Sequence, residues 1–269
     1  MGTPIHLRGP GADLQEGDRI GMFRITRRIA PQYYEAEDVA QRHRIAIEIG
    51  QKDDTRLVDV RFVRAASLLE PMKHPGIARV IDHGALYDER PWLAMKRPHG
   101  VLLSELFGAG RLTTAEATAV VRGCASVLAY VHAEKIVHGN LRPHQIVVVD
   151  DEPHALTPVC IGGWGSLRSP GIPAFGDPPA VNIYVAPEHL VGPIDQRADI
   201  YTLGAIGYRA LTGVFPDVSG DLTEPGDLLG ELINGMLSKD PRRRPTAKEI
   251  VEALVAESPT LRRLMAVSA

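Results

Sequence analysis

The feature of this sequence that most restricts its fold is a change of hydrophobic period near residue 100. From Ile20 to about Met95 the segments are short, rich in β-branched residues and alternating. "MFRITRRI", "YYEAED" and "RIAIEIG" follow the period of two that a half-buried strand requires. "RVIDHGALYDERPWLAM" predicts two more strands around a loop. One helix interrupts them, from Val58 to Leu69, with Val60, Val63, Leu68 and Leu69 as its apolar residues and an end near Pro71. From Leu102 onward the period becomes helical. "TTAEATAVVRGCASVLAYVHAEK" opens with Thr113 followed three residues later by Glu116, the pattern of a capping box, in which each side chain satisfies a free N–H of the first turn. "RADIYTLGAIGYRALTG", "LLGELINGMLSK" and "TAKEIVEALVAE" predict three further helices, the last opened by a second box at Thr246 and Glu249. A β-rich half followed by a helical half, without repeats, predicts an α+β fold of two lobes. The expected divisions are a linker over 1–16, an N-terminal lobe over 17–97, a C-terminal lobe over 98–257 and a tail over 258–269.

Composition narrows the function classes. A net charge of -3 gives no reason to expect a nucleic-acid partner, and runs such as Arg242-Arg243-Arg244 read as solvated faces. Cys124 and Cys160 lie far apart in apolar surroundings, which suits buried thiols in a reducing compartment. No stretch approaches the 18 or so apolar residues of a membrane span, and the N-terminus has no signal-peptide pattern. The expectation is a cytoplasmic domain that does not itself enter a membrane.

The chemistry-bearing stretch is "KIVHGNLRPHQIVVV", residues 135–149, a polar loop between two apolar runs. It resembles the catalytic loop of protein kinases, H-R-D-x-K-P-x-x-N, and other motifs of that family follow in the right order. "RFVRAASLLEPMKHPGI" matches the segment of the helix that bears the family's Glu, "PWLAMKRPHG" the strand and hinge, "YVAPEHL" the A-P-E signature, "DQRADIYTLG" the buried helix after it and "DPRRRP" the late Arg. Residues 20–256 are thereby identified as similar to a bacterial, eukaryotic-like Ser/Thr protein kinase domain. The fold implied is bilobal and protein-kinase-like, with a β-rich N-lobe and a helical C-lobe.

The positions that carry phosphoryl transfer depart from the family's pattern. The glycine loop is replaced by "RRIAPQYYEAED", shorter and without glycine. The Lys of V-A-I-K falls on Glu48, whose charge would repel phosphates, and its Glu partner on the family's helix falls on Ala65. Lys52 is the nearest substitute. The D-F-G Asp falls on Gly163, the base Asp on Asn140 and the metal-binding Asn on Gln145. Pro98 stands where a hinge N–H would meet adenine, and proline has none. His138 with His144 lacks a third metal ligand. The retained positions are those that hold such a fold: His138 and Trp164 in the internal apolar spine near Leu69, Asp199 bracing the catalytic loop, and Glu188 paired with Arg244.

The resemblance with these losses implies a catalytically inactive pseudokinase, needing no cofactor or metal and acting as a signalling scaffold. Its expected partners are an active Ser/Thr protein kinase and a forkhead-associated domain that reads phosphothreonine, with Thr260 and Thr246 as candidate phosphosites. The chain also resembles the cytosolic kinase-like domain of mycobacterial MviN-type peptidoglycan lipid flippases, which implies a tether beneath the membrane and a link to cell-wall synthesis. The alternatives that stay open are a metal-free nucleotide sensor and an enzyme of another chemistry.

Overall fold

The structure, a computed structural model, describes residues 11–51, 57–149, 158–167, 184–190, 194–216 and 228–256. Two compact units emerge. One runs as far as His99 and takes in Gly162–Leu167; the other holds Gly100–Ile161 and the helices that follow.

The first unit is a six-stranded antiparallel sheet with one helix. Its strands are β1 (Arg19–Ile20), β2 (Phe23–Ala30), β3 (Tyr33–Asp38), β4 (Arg44–Ile49), β5 (Val80–Ala85) and β6 (Pro91–Lys96), ordered β1-β2-β3-β4-β6-β5. Helix α1 spans Leu57–Leu69. Alternation divides the sheet into two faces. Phe23, Ile25, Tyr34, Ala36, Ile45, Ile47, Ile49, Trp92 and Ala94 form an apolar cluster on one of them. The register Tyr33↔Glu48, Glu35↔Ala46, Glu48↔Leu93 and Ala46↔Met95 sets the other. Leu14, within the segment expected to be a linker, is 3% exposed and belongs to the apolar cluster. Gly11 N–H donates to Asp88 at 2.8 Å, and Arg90 donates to the Ala12 carbonyl at 2.7 Å. Residues 11–16 are therefore part of the lobe.

Helix α1 is where expected, but its buried face is not the one expected. Phe62, Ala65, Ala66 and Leu69 are buried at helical spacing, whereas Val60 and Val63 are 61% and 50% exposed. Apolar character alone does not place a residue inward; the spacing i, i+3, i+4, i+7 starting at Phe62 is the face the sheet accepts.

The second unit contains a three-stranded sheet, β7 (Gly100–Leu102), β8 (Ile146–Val149) and β9 (Val159–Ile161). Its helices are α2 (Leu103–Ala109), α3 (Thr114–Ala133), α4 (Gln196–Thr212), α5 (Leu228–Met236) and α6 (Ala247–Ala256). Helix α3 starts at the expected capping box, with Thr113 Oγ1 accepting from Glu116 N–H and Thr113 N–H donating back to Glu116 at 2.8 Å. The α6 box forms in the same way at Thr246 and Glu249. Helices α4 and α6 pack on α3. Cys124 and Cys160 are buried free thiols, and burial pushes both thiols up to about 12. Among the described residues no helix is long and apolar enough to cross a membrane.

Candidate active site

In the first unit, strands β2 and β3 are joined by a two-residue turn, Pro31-Gln32, between the paired residues Ala30 and Tyr33. Gln32 takes the left-handed φ of +63° that closing so short a hairpin demands. The Gln32 carbonyl also accepts from Ile49 N–H at 2.8 Å, which ties the turn to β4. The expected shortening is thus built into the strands, and no loop is present there to wrap a triphosphate.

Glu48 is the penultimate residue of β4, 7% exposed, on the face shared with Tyr33, Leu93 and Met95. Its Oε2 accepts from the Gly165 N–H at 2.8 Å. Burial raises the carboxyl to about 7, opposed by that hydrogen bond. Gly163, Trp164 and Gly165 pass directly beneath, with Trp164 fully buried. A Cβ on Gly165 would stand 2.5 Å from the Phe62 ring and 2.9 Å from Glu48, so only glycine lets the segment approach this closely. Ala65 is fully buried on α1 and, being small, gives Glu48 no charged partner. Leu69 and Trp164 are both buried in this unit. Lys52 lies outside the described residues.

A cluster of three charged side chains centred on Glu35 occupies the same face. Arg97, at the hinge, donates from Nη1 to Glu35 Oε1 at 2.5 Å, and Arg27 donates to the other Glu35 oxygen at 2.6 Å. The Arg97 side chain is only 3% exposed, and its Nε has no partner among the described residues. Pro98 follows it, next to the Arg97 N–H that donates to the Arg44 carbonyl at 2.9 Å.

In the second unit, Asp199 of α4 organises the loop after Val137. It accepts from His138 N–H and Gly139 N–H, both at 2.8 Å, and meets His132 Nε2 at 2.9 Å. Burial opposes its charge, yet these bonds, with His132 first and His138 nearby, hold the carboxyl below its ordinary range. Gly139 has a φ of +73°, a conformation that glycine adopts without strain. Asn140 follows, partly exposed, its N–H 3.4 Å from His138 Nδ1.

Arg142 is largely buried and is lowered to about 10 by burial, with Tyr184 opposing. Burial and the Arg142 charge lower His144 to about 4, so it is neutral at neutral pH. Gln145 is 3% exposed, and its Oε1 has no partner among the described residues. The bracing pair forms as expected. Arg244, 1% exposed, donates to both Glu188 oxygens at 2.5 and 2.9 Å, with a side chain on Glu188 that remains 21% exposed. Of the candidate phosphosites, Thr246 is an exposed N-cap and Thr260 lies outside the described residues.

A magnesium–nucleotide complex would find few of its usual oxygen ligands on these residues. The described residues contain no group of three His, Cys, Asp or Glu able to hold a metal, and the Gln145 oxygen is a single neutral acceptor. Sequence reasoning missed Glu35–Arg97 and the Glu48–Gly165 bond. Residue parity along β3 and the hinge would have put Glu35 and Arg97 on one face, but only the register brings them together.

Compared with known proteins, residues 32–255 match the family model described as "Protein kinase domain". The chain is 30% identical over 239 residues to the serine/threonine-protein kinase PknJ of Mycobacterium tuberculosis, covering 79% of this chain and 40% of that protein. It is 26% identical to the serine/threonine-protein kinase pkn2 of Myxococcus xanthus, covering 88% and 32%, and 26% identical to the serine/threonine-protein kinase PknE of M. tuberculosis, covering 91% and 44%. The chain therefore spans less than half the length of these relatives. These matches correct the functional expectation. The family model is that of the kinase domain, and the relatives bear the names of Ser/Thr protein kinases, not of scaffolds. The reading of the chain as a non-enzyme, drawn from the substitutions at Glu48, Asn140, Gln145 and Gly163, is withdrawn on that finding.

Proposed function

We propose that this chain, which belongs to the protein kinase family, works in Ser/Thr protein phosphorylation and acts on proteins, as the names of its relatives state for them. The observation that carries the proposal is the braced loop: Asp199 fixes two consecutive backbone N–H groups and presents Asn140 at a set position. Phosphoryl transfer passes through a loose transition state, so positioning and charge stabilisation matter more than proton abstraction. The Asn140 amide oxygen can accept a hydrogen bond from a Ser or Thr hydroxyl and orient it. The hydroxyl proton then passes to the transferred phosphate or to water, since the amide is no base. Arg142 supplies a cation three residues after Gly139, able to meet phosphoryl oxygens. With Glu48 and Gly163 at the phosphate and metal positions, the turnover expected is slow, because each missing electrostatic contact is worth about 100-fold or more.

A forkhead-associated domain remains the proposed reader of the phosphothreonine products, and a cytoplasmic location within a longer chain is part of the same proposal. The test is direct. Chain incubated with γ-labelled ATP, magnesium or manganese, and a Ser/Thr peptide library should yield phosphopeptides by mass spectrometry, and Asn140→Asp should raise the rate. No phosphopeptide from folded protein, with either metal and with either residue at 140, would overturn the proposal.

A further inference from the structure

Within the second unit, Arg209 of α4 is held in a way that the loop geometry does not require. Its guanidinium lies 4.9 Å from the Phe107 ring centroid and 4.3 Å from that of Phe215. Its Nη1 donates to the Tyr184 hydroxyl at 2.9 Å. The rings of Tyr184 and Phe215 meet edge to face at 5.7 Å. Two rings so close restrain the guanidinium, and its bond to Tyr184 uses one of five N–H donors. Among the described residues no carboxylate forms a salt bridge with Arg209; its partners are the phenol and the two rings.

The surroundings are positive and partly apolar. Arg142 acts electrostatically on the same Tyr184. Phe215 is 41% exposed, with Val214 beside it at 58%. A half-buried guanidinium held by two rings and a phenol, beside exposed apolar surface, suits an acidic peptide segment: a carboxylate for the fork and side chains for the apolar flank. A basic segment would meet like charge.

We propose that this cluster reads an acidic residue flanking the acceptor serine or threonine, so that the substrates of this chain are acidic protein segments. The inference rests on the phosphorylation reading and names its substrate class.

Two fluorescein-labelled peptides with a central serine, one flanked by glutamates and one by lysines, are titrated with the full chain by anisotropy at low salt, without nucleotide. The glutamate peptide should bind at least tenfold more tightly, and should lose affinity as salt is raised. Arg209→Glu, checked for folding by circular dichroism, should invert the preference, and Arg209→Lys should weaken it by removing the planar fork. Equal binding, no binding, or preference for the lysine peptide by the unaltered chain overturns the proposal whether or not the variants fold. Because no turnover is read, acidic-peptide binding without phosphate transfer would count against the phosphorylation reading alone. Transfer without acidic preference would count against this inference alone.

Discussion

Replacing Glu48 by Gln tests the electrostatic account of the N-terminal lobe. A carboxyl buried on a sheet face with one N–H donor is harder to ionise than the same group in an unfolded chain. Its value is about 7 when folded, against 4.5 ordinarily. Between these two values the folded chain keeps a proton that the unfolded chain has released, so stability falls as pH rises through the window. At about 1.4 kcal/mol per pH unit, the difference amounts to about 3 kcal/mol. The contribution is fully present below pH 4.5 and is lost as pH rises through 7. Glu48→Gln keeps an oxygen for the Gly165 N–H and removes the ionisation. The variant should therefore match the unaltered chain at about pH 4 and exceed it by about 3 kcal/mol at pH 8. Urea unfolding followed by fluorescence reports it directly, since Trp92 and Trp164 are the only tryptophans and both are buried in this lobe. The difference between the two proteins is the quantity to measure, because His144 titrates in the opposite sense: its lowered value makes stability rise with pH between about 4 and 6.5. Parallel stability profiles for the two proteins from pH 5 to 8 would refute the argument.

Three further outcomes are expected. Glu188→Ala should cost about 3 kcal/mol by leaving Arg244 buried without its carboxylate, read by thermal melting; a loss below about 1 kcal/mol would show that the pair contributes little. Gly165→Ala should destabilise by about 1–3 kcal/mol through the clash with Phe62, and Phe62→Leu in the same chain should restore part of the loss; a silent Gly165→Ala would mean the segment does not lie against α1 as described. Cys124 and Cys160 should resist alkylation in the folded chain at pH 8 and react on unfolding, since burial holds both as thiols; rapid native labelling would contradict their burial.

What could be read before the structure was whatever is encoded locally. The strands of the first lobe follow from alternation, and the starts of α3 and α6 follow from their capping boxes, because both signals lie within a few residues. Glu188–Arg244 and the Asp199 brace were legible only through the family resemblance, since their partners are 56 and about 60 residues away. Leu14 was illegible: a single apolar residue among glycines and polar residues has no period to betray it. Glu35–Arg97 was hidden because its meaning depends on which face each residue takes once β3, β4 and β6 are in register. The same substitutions that made the chain look inert say which charges moved, but not what the rearranged charges do.

Asp199 also sets an order of events during synthesis. Its partners His132, His138 and Gly139 precede it by 67, 61 and 60 residues. The loop is therefore translated well before the carboxylate that shapes it. At roughly 5–20 residues per second, its two amides wait about 3–12 seconds for their acceptor. During that interval the nascent loop lacks the carboxylate that accepts from its two amides in the folded chain.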